Sequence, residues 1–76
     1  MPITPNTKKK MAQIDSFLET YKEGDELKIY MSSCDKTILE EYVHNHPNGG
    51  KDFCFDVGFF KGGFLEIDYR LHKRKK

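Results

Sequence analysis

Tryptophan is absent, cysteine occurs twice, and no apolar run approaches the roughly 18–20 residues of a membrane span. The start, MPITPNTKKK, has no apolar core of a secretory signal, so the expected location is the cytoplasm, with no membrane partner. Cys34 and Cys54 could form one bridge at most, and small secreted domains that depend on disulfides usually carry more, which points to free thiols in a reducing compartment. At 76 residues the expectation is one domain at most, without a deep cleft between subdomains. What is present, 37% hydrophobic residues with six Phe and four Tyr, suffices for one thin core. The expectation is a single domain over residues 1–76 with a basic tail at 73–76.

The net charge of +1 conceals a segregation. Residues 1–10 and 70–76 hold eight of the thirteen basic residues and none of the twelve acids, so residues 11–69, with five lysines against all the acids, carry −7. Asymmetry of this kind points to an electrostatic partner more strongly than net charge does.

Thr4-Pro5 reads as an N-cap followed by proline at the first helical position, and Thr7 is a second candidate cap. Met11, Ile14, Phe17, Leu18 and Tyr21 then form one helical stripe that Gly24 ends. Three lysines oppose the dipole at the helix start, so the expectation is a first turn that either frays or takes an anionic partner, with no partner required. Alternation over Asp25–Ser32 predicts a strand. Ser32 and Ser33 offer caps to a second helix whose core side carries Cys34, Ile38, Leu39, Tyr42 and Val43, and which Pro47 ends near His44 or Asn45. Residues 52–60 and 64–72 read as a hairpin. A loop of Lys61-Gly62-Gly63 pairs Phe60 with Phe64, Val57 with Ile67, Phe55 with Tyr69 and Phe53 with Leu71, which gathers the apolar residues on one face. The expected class is α+β in the order α-β-α-β-β, a three-stranded sheet with both helices on one face. The third strand is expected in the centre, with the second strand there as runner-up.

In this register Asp56 faces Asp68, with Glu66 diagonal to them, and like charges directly opposite require compensation from a metal, from Arg70, from the tail or from a cationic partner. Phe60 and Phe64, beside Lys61 and these acids, make a candidate protein-docking edge. The candidate phosphate contacts are Lys8, Lys9 and Lys10 at one end and Arg70, Lys73, Arg74, Lys75 and Lys76 at the other.

The stretch Glu41-Tyr42-Val43-His44-Asn45-His46-Pro47-Asn48-Gly49 resembles the His-x-His-Pro core of the JAMM metalloprotease and RadC family. That resemblance, over about six residues, implies zinc held by His44, His46 and a downstream aspartate, Asp52 or Asp56; it lacks the family's serine between histidines and aspartate. Cys34, His44, His46 and Cys54 are a second candidate zinc set, without the close pairing of structural sites. Cys34 on the core side reads instead as a small hydrophobe.

No nucleophile, base and oxyanion site assemble, so the expectation is a non-enzymatic protein without cofactor, resident metal or small-molecule substrate. The first reading is an accessory protein that binds nucleic-acid backbone through its basic termini, independently of sequence. The alternative is an inhibitor or adaptor that docks its acidic face on a larger basic protein, in the manner of small phage and mobile-element proteins that block host defences. A JAMM-like zinc hydrolase is the remote third.

Overall fold

A computed structural model describes the backbone of residues 3–61 and 66–74 and the side chains of 3–58 and 68–74. The order is α1 (Pro5–Glu19), β1 (Leu27–Tyr30), α2 (Ser33–His44), β2 (Phe53–Lys61) and β3 (Glu66–Lys73). Thr4 caps α1, its hydroxyl accepting from the Thr7 N–H at 3.1 Å, and Ser32 caps α2 by accepting from the Asp35 N–H at 3.2 Å. α1 stops at Glu19, earlier than Gly24, with Thr20 as C-cap and its hydroxyl donating to Ser16 O at 3.0 Å. Tyr21 still reaches the core from outside the helix, edge-on to Phe53 at 5.2 Å between centroids.

At the end of α2 the Val43 carbonyl accepts from the N–H groups of His46 (3.2 Å) and Gly50 (3.0 Å). Gly49 is needed in this wrap, because a Cβ there would stand 2.1 Å from the same oxygen.

The sheet order is β1-β3-β2 with both pairings antiparallel, so the third strand is central as expected. Ile29, Phe53, Phe55, Tyr69 and Leu71 line one face, where α1 and α2 cover them with Ile14, Leu18, Leu39 and Val43. Both helices lie on this face. They run parallel, since Thr7 meets Asp35 near their starts while Asp15 meets Tyr42 and His46 further along.

The cationic start of α1 finds its anion within the chain. Asp35 accepts from the Thr7 hydroxyl at 2.9 Å and from Lys10 Nζ at 3.3 Å, and Thr4 and Thr7 hydroxyls meet at 2.9 Å. The row buried on α2 is therefore Asp35, Leu39 and Val43 at four-residue spacing, with Asp35 half-buried against α1. Cys34 belongs to the next row and is exposed, which corrects its expected place on the core side.

The β2–β3 register corrects the expectation by two residues. Phe53 pairs with Lys73, Cys54 with His72, Phe55 with Leu71, Asp56 with Arg70 and Val57 with Tyr69. Over residues 53–57 this even shift keeps the apolar residues on their face, and it replaces the Asp56–Asp68 opposition by Asp56–Arg70. Gly58 is then extra: pairing resumes with Phe59–Asp68, Phe60–Ile67 and Lys61–Glu66, a bulge in β2. A Cβ on Gly58 would lie 2.3 Å from Arg70 Nε, so the bulge glycine is where the Arg70 side chain crosses the strand.

Thr7 is 1% exposed, and Thr7→Val keeps its shape while removing the donor to Asp35. Urea denaturation should show a loss of about 1–3 kcal/mol, the range for a hydrogen bond to a charged group, with Asp35 keeping only Lys10; an unchanged midpoint would exclude this contact as a tie between the helices.

Candidate functional site

The sheet face away from the helices carries the polar alternates of the strands. β3, being central, brings Asp68, Arg70 and His72 to it, and β2 brings Cys54 and Asp56. Arg70 reaches Glu26, just before β1, at 3.7 Å. Both partners are substantially exposed, so this pair contributes well under about 1 kcal/mol. Asp68 is 4% exposed and its Oδ1 has no partner among the described residues, so it is buried and does not join an exposed acidic cluster. The opposed Asp56–Asp68 pair does not form, because the register sets Asp56 against Arg70 and Asp68 against Phe59. Phe60 pairs with Ile67 in place of Phe64; the side chains of Phe60, Lys61 and Glu66, and Phe64 altogether, lie outside the described residues.

At the β2–β3 end of this face the Cys54 Sγ, Asp56 Oδ2 and His72 Nε2 atoms lie within 4.8 Å of one another. Cys54 and His72 are register partners with Sγ 3.6 Å from Nε2, and Asp56, two residues along the same side of β2, hydrogen-bonds to that nitrogen. His72 Nδ1 has its own partner, the Lys73 carbonyl oxygen, at 3.4 Å. A Cys–His–Asp catalytic relay divides its contacts, thiol to one ring nitrogen and carboxylate to the other. Here both converge on Nε2. The Asp56 carboxylate can only accept, so Nε2 carries a hydrogen in this contact, and a divalent cation could take that hydrogen's place among the three donor atoms. Thiolate, imidazole and carboxylate together suit zinc.

An open groove of about 1090 Å³ follows this face, with Tyr21 and Glu26 on one side and Asp56, Gly58 and His72 on the other. Lys73 and Arg74 border it at the end of β3. Residues 73–76 do not begin as a free tail: Lys73 pairs with Phe53 inside the sheet, and the Arg74 N–H donates to Asp52 O at 2.7 Å. Lys75 and Lys76 lie outside the described residues. Lys8 and Lys9 are exposed near the α1 start, at the opposite end of the molecule from Lys73, and Lys10 is engaged by Asp35. Among the described residues, then, the two basic segments are not brought together.

The histidines of the His-x-His-Pro stretch separate as well. His44 is exposed. His46 turns to α1, where Nε2 lies 3.0 Å from Asp15 Oδ1, and its Nδ1 accepts from the Asn48 N–H at 3.0 Å. Neither meets Cys34, Cys54, Asp52 or Asp56; among the described residues the group with metal-ligand convergence is Cys54, Asp56 and His72. His72 was not a sequence candidate, because the expected register set Arg70 opposite Cys54. The signal that could have found it was the Asp56–Asp68 clash in that register.

Asp15 also accepts from the Tyr42 hydroxyl at 2.6 Å. That hydrogen bond first, then burial and the carboxylate charge, raise the Tyr42 phenol above its ordinary value. The neutral phenol is the form the fold favours, so its contribution is complete below the ordinary tyrosine range and is lost as the pH climbs through the raised value. In an absorbance titration one tyrosine should ionise later than the rest, and Asp15→Asn should return it toward them; a titration identical in both proteins would refute the contact. No family model matches this sequence, and neither a curated protein nor a solved structure is significantly similar to it.

Proposed function

We propose that this chain is a small non-enzymatic protein that binds a nucleic-acid phosphate backbone, without reading sequence, through the end of the sheet where β3 finishes. The observation that carries this reading is the state of Lys73 and Arg74: both are exposed, held in place by the Arg74–Asp52 backbone bond, and without an ion-pair partner among the described residues. Fixed, unpaired cations are suited to phosphate, because no internal salt bridge has to break first. Arg70 and Lys10 contribute less, being engaged by Glu26 and Asp35. The acidic docking face is weakened as a rival, since Asp68 is buried and Asp56 is taken up by His72.

Lys8 and Lys9 form a second, separate contact. α1, with 15 residues, spans about 22 Å, or roughly six nucleotide steps of one strand. A ligand that touches both basic ends must exceed that length. The two free thiols suit a reducing compartment, and the cytoplasm is the proposed location; among the described residues no helix is long and apolar enough to cross a membrane.

Fluorescence anisotropy with a labelled oligonucleotide at several salt concentrations tests the reading. Removing two phosphate contacts with Lys73→Ala and Arg74→Ala should flatten the slope of log K against log salt by about 1.4 on a single strand and about 1.8 on a duplex. Lys8→Ala with Lys9→Ala should flatten it further only on oligonucleotides longer than the molecule. A slope indifferent to Lys73 and Arg74 would reject this end of the sheet as the contact.

A further inference from the structure

We propose that Cys54, Asp56 and His72 form a three-ligand site for a zinc-class divalent cation, with a fourth position open to the groove. The inference stands apart from the phosphate reading and rests on where the donors point. For a tetrahedral ion about 2.3 Å from sulfur and about 2.0 Å from nitrogen, the two ligand atoms are roughly 3.5 Å apart. Cys54 Sγ and His72 Nε2 are 3.6 Å apart, so the thiol and the imidazole are already placed for an ion seated between them. The Asp56 carboxylate, now hydrogen-bonded to Nε2, has to withdraw to admit the ion. It is free to do so, because its side chain is 64% exposed.

The surroundings supply what ligands of this kind need. The Lys73 carbonyl lies 3.4 Å from Nδ1, where it accepts the ring N–H once a cation takes the place of the hydrogen at Nε2, and so orients the ring. Cys54, half-buried in β2, loses its thiol proton to solvent when the metal–sulfur bond forms. Asp56 and His72 both line the groove, so the unfilled position faces space large enough for a water or an oxyanion. The donors come from adjacent strands whose pairing is fixed, and no loop has to close around the ion.

The full chain, stripped with chelator and dialysed against buffered Zn²⁺, should take up one zinc per molecule. Cobalt in its place should give the near-ultraviolet absorption of a sulfur-to-cobalt transition. Cys54→Ser should abolish that band and weaken zinc binding by roughly a hundredfold or more, beyond the 10–100-fold typical of losing an outer-shell partner. Cys34→Ser, which changes the other free thiol, should leave both unchanged. Asp56→Asn, at an exposed position, should weaken zinc while leaving the far-ultraviolet circular dichroism intact, and His72→Gln provides a second ligand loss should Cys54→Ser fail to fold. Zinc uptake well below one per chain, a cobalt band that survives Cys54→Ser, or one that disappears in Cys34→Ser would each overturn the site.

Discussion

The register of the β2–β3 pair organises the functional half of the molecule. Asp56 stands opposite Arg70, and once that pair is set, Cys54 must meet His72 and Phe55 must meet Leu71. The same alignment lays the Arg70 side chain over position 58, where only glycine leaves room. One residue further the ladder has gained its extra member, and Asp68 has moved from the expected open acidic row to a buried position. A single pairing choice thus assembles the thiol–imidazole–carboxylate group and dismantles the acidic patch.

The helical layer is organised by carboxylates of its own. Asp35 gathers a hydroxyl and an ammonium from α1, and Asp15 gathers a phenol and an imidazole from α2 and the residues after it. Each helix therefore lends one acid to the other, at both ends of their contact. Buried apolar side chains between them supply most of the adhesion, as expected for a thin core, while these directional contacts fix the helices as parallel neighbours.

Element order, helix caps and the central place of β3 were legible in the sequence, because each follows from local signals: Thr4-Pro5, Ser32, Pro47, and the alternation of Phe53, Phe55, Tyr69 and Leu71. The faces of the hairpin near its open end were legible for the same reason, since an even slip leaves them unchanged. Its register was not, because it depends on the bulge at Gly58 and on the length of the connection, and periodicity is silent on both. His72 was lost with the register. Cys34 was misplaced because a helical wheel does not say which of two adjacent rows the neighbouring helix will cover, and α1 covers the row of Asp35.

The bulge has a further effect through the position of β2. With order β1-β3-β2, this nine-residue strand is an outer strand, and one side of its backbone has no neighbour within the sheet. Nine regular residues would offer a second chain a template about 30 Å long on which to add a strand. Gly58 interrupts that template after Val57, leaving a regular run of five residues, Phe53 to Val57. The glycine that admits Arg70 on one face thereby also shortens the regular edge on which another strand could add.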